Sequence, residues 1–230
     1  MPRNTAMTLR AILFDLDGTL VDTAPDLAAA TDHALQSQGR AAVGLNAVRG
    51  MVGDGAIALV RKGLEATGGN TDPAMFDAAI AAFYAYYETN LSATSRPFPG
   101  VVECLRALRD DGYALAVCTN KPERFSLKLL HDLDLTQYFG AIVGGDSLPI
   151  RKPDPGHLHG TLARLPQPAK WAAMVGDSAN DIDAAKAAGL PSVAVSFGYT
   201  RIPAAELGAD RLIHHFDDLR SALHDLERQG

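Results

Sequence analysis

The stretch AILFDLDGTLVDT, residues 11 to 23, sets two carboxylates, Asp15 and Asp17, directly after an apolar run, with Leu16 between them and Gly18-Thr19 behind. Alternation along an extended chain puts both acids on one face, where desolvating two carboxylates is costly unless something offsets it. Three further clusters carry matching chemistry. Thr119-Asn120 offers a hydroxyl and an amide, Lys152 in RKPDP an ammonium, and Asp177 with Ser178 and Asp181 in GDSANDI a second group of acids. Brought into one crevice, the acids would form a cation site, with Lys152, Thr119 and Asn120 forming an anion site beside it.

The elements that must position these groups form a regular series. AILFD, YALAVCTN, AIVGGD, WAAMVGD and SVAVSFG, near residues 11, 113, 141, 171 and 192, are short β-rich runs separated by helical patterns. That alternation predicts an α/β fold with a doubly wound parallel sheet. In such a sheet ligands bind beyond the carboxyl ends of the strands, where the polar clusters fall. From about Ala24 to Arg96 the strand signal vanishes, and DLAAATDHALQSQG, IALVRKGLEATGG and PAMFDAAIAAFYAYYETN read as helices. The expected organisation is a core of residues 1–22 and 97–230 with a helical domain, 23–96, inserted after the first strand. Thr23-Ala-Pro-Asp26 predicts a capping box opening that insertion, and Ser178 to Asp181 fits the same pattern, leaving Asp181 open to a cap or a metal role. The tyrosines near 84 to 87 read as helix packing and His214-His215 as surface.

Composition excludes several classes. The 230 residues carry 21 basic and 27 acidic side chains, a net charge of −6, without a Lys/Arg-rich run, which argues against nucleic acid as partner. Cys104 and Cys118 match no metal-ligand spacing and read as reduced core residues. MPRNTAMTLR lacks an apolar signal region, and the apolar run after it stops at Asp15, so the expectation is a cytoplasmic protein without a membrane anchor; a monomer or homodimer is expected. Neither G-x-G-x-x-G after the first strand nor a P-loop is present.

DLDGTLVDT, TNKP, KPDP and GDSANDI, in this order and at these strand ends, resemble the four motifs of the haloacid dehalogenase superfamily of phosphatases. The resemblance implies a doubly wound core with an inserted helical cap. It implies Asp15 as nucleophile, forming an aspartyl-phosphate, and Asp17 as general acid and base. Mg²⁺ is the implied cofactor, with Asp15 and Asp177 as side-chain ligands, Asp17 contributing its backbone carbonyl, and Asp181 and Ser178 in an outer shell. Lys152, Thr119, Asn120 and backbone amides up to Gly18 would hold the phosphoryl group. Asp17 favours phosphate esters, because dehalogenases and phosphonate hydrolases of the superfamily are expected to lack a second aspartate. A receiver-like phosphoacceptor signalling module is the alternative of another class; the long helical insertion and Asp17 stand against it.

Substrate choice is expected to rest on the cap. RGMVGDGAIALV, residues 49 to 60, sets Gly53 and Gly55 at a turn between helices, and together with GGDSLPIRKPDP and FGYT it looks like the phosphoglycolate phosphatase family. That resemblance implies hydrolysis of 2-phosphoglycolate to glycolate and phosphate. Related capped phosphatases acting on sugar phosphates, including N-acetylmuramate 6-phosphate, share most of these motifs. For the substrate carboxylate, Arg49, Arg61 and Lys62 are the candidates, Arg49 first because it adjoins the glycine turn.

Overall fold

Apolar residues on both faces of RAILF make Arg10–Phe14 a central strand, β1: Ile12 and Phe14 face one core cluster, Ala11 and Leu13 the other. The computed structural model describes residues 10–69 and 72–229, so the sequence reading of the first nine residues lies outside the described ones. Strand β1 pairs in parallel with β4, Tyr113–Cys118, and β6, Trp171–Gly176. β5, Ala141–Val143, extends the sheet beyond β4, while β7, Ser192–Val195, and β8, Arg211–Ile213, extend it beyond β6. The order β5-β4-β1-β6-β7-β8 reverses direction at β1, and a crevice opens at the carboxyl ends of strands around such a reversal.

Helices cover both faces of the sheet. On one lie α5, Val101–Asp110, α6, Glu123–Asp132, and α9, Leu219–Glu227, through Leu105, Leu108, Leu129 and Leu223. On the other lie α7, Pro155–Ala163, and α8, Ala179–Ala188, whose Leu158, Ala184 and Ala185 pack on Ala11, Leu13 and Met174. Sequence patterning did not distinguish α7, α9 or the three-residue edge strand β8. Among the described residues no helix is long and apolar enough to cross a membrane.

Between β1 and α5 the chain forms α1, Ala24–Ser37, α2, Gly44–Arg49, α3, Ala56–Ala66, and α4, Pro73–Asn90. This segment leaves and rejoins the sheet through a two-stranded antiparallel ribbon, β2, Val21–Asp22, and β3, Arg96–Pro97. The capping box expected at Thr23 does not form. The buried Thr23 hydroxyl has no partner, and Asp26 instead accepts hydrogen bonds from the backbone and hydroxyls of Thr94 and Ser95, at 2.5 to 3.0 Å. Burial alone would raise the Asp26 pKa, but these bonds outweigh it and hold the carboxyl below its usual range. The spacing that suggests a cap serves a contact across 68 residues, made where the two ends of the segment meet.

Candidate active site

β1 ends at Phe14, and the next amide, Asp15 N, still donates to Val175 O of β6 at 3.0 Å. That bond fixes the Asp15 side chain at the mouth of the sheet. The following residues fold back in a tight turn closed by Gly18 N donating to Val21 O at 2.9 Å. The Gly18 amide, expected to face a phosphate, is engaged in this turn. Gly18 is needed for another reason: its φ is +85°, and a Cβ there would overlap Asp177 Oδ2 and the Tyr199 ring.

Three acids converge. Asp15, Asp177 and Asp181 are 7, 3 and 0% exposed, and each offers a carboxylate oxygen within 4.8 Å of the others. Asp177 follows β6 and is oriented by Tyr199 N at 2.6 Å and Thr19 Oγ1 at 3.0 Å. Asp181 accepts from the Ser178 backbone N at 3.0 Å and hydroxyl at 2.7 Å, so it caps α8, while its other oxygen takes Lys152 Nζ at 2.6 Å. The cap reading of Asp181 is met, and its other oxygen is taken by Lys152. Lys152 Nζ also lies 3.0 Å from Asp15 Oδ1, but out of line for a hydrogen bond, so that buried oxygen accepts none.

The charges are under strain in this arrangement. Burial first, then Asp181 and Asp17, push the Asp15 pKa up to about 6, against the opposing pull of Lys152 and Thr119. Asp177 is raised well above the usual carboxylate range by burial and by its two acidic neighbours. Burial disfavours the Lys152 ammonium, yet Asp15 and Asp181 outweigh it and keep the lysine protonated. One ammonium stands among three buried acids, and Asp15 Oδ1, ion-paired with Lys152 at 3.0 Å, accepts no hydrogen bond. A hard divalent cation fits this donor set, with Asp15 and Asp177 able to supply oxygens and Asp181 adjoining them.

Asp17 stands apart from that cluster. Both its oxygens receive Lys121 Nζ, at 3.0 and 3.2 Å, and the same ammonium donates to the Tyr87 hydroxyl of α4 at 2.6 Å. Sequence reasoning assigned no role to Lys121 and read Tyr87 as packing. The available signal was the lysine's place in TNKP, two residues past Thr119; Tyr87 carried none, because its partner is 34 residues away.

Thr119 and Asn120 follow β4, as expected. The Thr119 hydroxyl accepts Lys121 N at 3.2 Å. Asn120 Nδ2 donates to Gly53 O at 3.1 Å and Lys152 O at 3.0 Å, tying the loop between α2 and α3 to the Lys152 backbone. Gly53 and Gly55 line a cleft with Asp15, Asp17, Thr119 and Lys121. Both glycines have positive φ, 116° and 87°, which the turn into α3 requires. Arg49, Arg61 and Lys62 do not line the cleft. Arg49 lies 3.4 Å from Asp22, Arg61 stacks 4.4 Å from the Phe76 ring centre, and Lys62 binds Met51 O and the Asp54 carboxylate.

A sheet reversing at an acid pair, a buried lysine and a second acid group after β6 define a hydrolase of the haloacid dehalogenase type. The chain belongs to that family: the family model described as haloacid dehalogenase-like hydrolase matches residues 12–195. A phosphoglycolate phosphatase of Mesorhizobium japonicum is 44% identical over 213 residues, covering 93% of this chain and 94% of that protein. One of Caulobacter vibrioides is 44% identical over 211 residues, covering 92% and 89%. A crystal structure described as a predicted phosphoglycolate phosphatase from Haemophilus somnus superposes with a TM-score of 0.86 at 33% identity, covering 94% of this chain and 98% of that one. The chain is a phosphoric monoester hydrolase.

Proposed function

We propose that the protein hydrolyses 2-phosphoglycolate to glycolate and phosphate through an aspartyl-phosphate on Asp15, with Mg²⁺ as cofactor. The observation that carries the chemistry is the unbonded Asp15 Oδ1, buried at the cleft and 3.0 Å from the Lys152 ammonium. Asp15 attacks phosphorus while Asp17 delivers a proton to the departing alkoxide oxygen; Asp17 then takes a proton from the water that attacks the same phosphorus, releasing phosphate and restoring Asp15. Lys152 and the Thr119 hydroxyl hold phosphoryl oxygens, and the Asn120 amide keeps the Lys152 backbone in place. Asp15, Asp177 and the Asp17 backbone carbonyl would hold Mg²⁺, with Asp181 and Ser178 outside them; when bound, it neutralises phosphoryl charge. Residues 23–96 act as a cap that excludes water from the cleft.

The relatives' activity supports the substrate. Purified protein with Mg²⁺ should release phosphate from 2-phosphoglycolate with a kcat/KM well above that for N-acetylmuramate 6-phosphate or glucose 6-phosphate. A sugar phosphate turned over faster would move the substrate assignment and leave the phosphatase chemistry in place; no turnover of any ester would overturn both.

A further inference from the structure

Beside its polar groups the cleft carries an apolar wall. Leu27, Val52, Ala56 and Leu59 of the helical segment and Phe125 of the core line it. A second negative charge on a substrate, buried there, would need a counterion. Among the described residues that line the cleft, Lys121 has the one cationic side chain, 3% exposed. The three cations the sequence suggested are all engaged outside it.

Lys121 also sits at the right remove from the phosphoryl end. It is two residues past Thr119 and bonded to it through its backbone. Its ammonium lies 3.0 Å from the carboxylate of Asp17, the group that protonates the departing oxygen, so an anion one or two carbons beyond that oxygen falls within its reach. Its present partners are a carboxylate and a neutral hydroxyl from α4, so an incoming anion can take the hydroxyl's place without stranding either charge.

We propose that Lys121 reads the substrate's anionic tail: the carboxylate of a short phosphorylated hydroxy acid lies against Nζ where the Tyr87 hydroxyl now sits. This rests on the phosphatase reading above and names the class of ester it favours, one with a carboxylate one or two carbons from the phosphate. The competing role is purely structural, with Lys121 serving only to fix Asp17.

The two roles separate with a pair of esters of equal carbon count, 2-phosphoglycolate and ethyl phosphate, tested on Lys121→Met and Lys121→Arg. The Met variant should lose the preference for phosphoglycolate by roughly 30-fold, mostly in KM, and Arg should restore part of it. Calorimetric binding in an Asp15→Asn background, where turnover is blocked, should show the same selective loss. Equal losses for both esters, with unchanged relative binding, would overturn the assignment. Should Lys121→Met fail to fold by circular dichroism, Lys121→Gln takes its place and the same ratio decides. If the unaltered enzyme prefers a sugar phosphate, the substrate reading falls, and Lys121 is judged on the two binding constants alone: loss of phosphoglycolate affinity relative to ethyl phosphate sustains it, equal loss overturns it.

Discussion

Arg201, beyond β7, and Asp54, in the loop between α2 and α3, form an ion pair of 3.0 Å across the junction between the sheet and the inserted helices. Arg201 Nε also donates to Gly50 O at 2.9 Å, and Asn180 Nδ2 reaches Asp54 Oδ1 at 2.9 Å. The loop that lines the cleft is thus tethered from the core side. Burial opposes the Asp54 charge, but Lys62, Asn180 and Arg201 overcome it and hold the carboxyl at about 2. The Asp54 carboxylate is therefore ionised at neutral pH.

Removing this tether should affect closure more than folding. The pair is half-exposed, so Arg201→Ala should alter unfolding free energy by less than about 1 kcal/mol. It should raise KM for phosphoglycolate about 2- to 5-fold at low salt, and the difference should shrink at high ionic strength as screening weakens the pair in the unaltered enzyme. Steady-state kinetics at two salt concentrations checks this; a purely kcat defect would exclude a tethering role.

Asp15→Asn should keep the fold and lower kcat by at least about 1,000-fold, since an amide cannot form the acyl-phosphate. Intact-mass measurement must exclude deamidation. Residual activity above that bound would remove Asp15 as nucleophile.

The crowded acids predict how the metal couples to pH. Asp15 titrates at about 6 in the folded protein against 3.8 unfolded, so the native state binds more protons between those values. Its contribution to stability is therefore lost as pH rises through that window, and Asp177 acts in the same direction. A divalent cation requires ionised carboxylates and relieves their repulsion. The Mg²⁺-induced rise in Tm should accordingly be small at pH 5 and larger at pH 7.5, as differential scanning fluorimetry can measure; equal shifts at both would contradict it.

His157 predicts the opposite slope. It is fully buried, contacts Lys152 N through Nδ1 at 3.3 Å and Gly144 O through Nε2 at 3.2 Å, and burial with the nearby Lys152 charge lowers its pKa to about 4. The unfolded chain binds a proton near pH 6.5 that the native state refuses, so this contribution is complete above 6.5 and is lost as pH falls toward 4. The loss is worth about 3 kcal/mol. Urea midpoints between pH 7 and 4 should fall less steeply in His157→Asn; parallel slopes would refute the assignment.

The acid and lysine motifs were legible because each is local: a strand end fixes where Asp15, Thr119 and Asp177 emerge, and the alternation of strands and helices fixes which ends are neighbours. Lys121 was hidden in plain view, since its meaning depends on Asp17 and Tyr87, each more than 30 residues away. β2 and β3, two residues each, are too short to leave a periodic signal. Thr23 to Asp26 shows the limit of local patterns, because the carboxylate that fits a cap found stronger donors in Thr94 and Ser95. Arg49 was favoured by adjacency to a glycine turn, but adjacency in sequence does not say which way a side chain on a helix points.

The clasp between Asp26 and Thr94-Ser95, beside the paired β2 and β3, brings the entry and exit of the inserted helices together at one point. The chain enters and leaves the insertion side by side there, and loop closure depends only weakly on how much chain lies beyond it. Helices there can be lengthened, shortened or exchanged while β1 and β4 keep their register and Asp15 its position. Such a molecule can acquire a new choice of ester by grafting, so long as the graft keeps a partner for Lys121 where Tyr87 now stands.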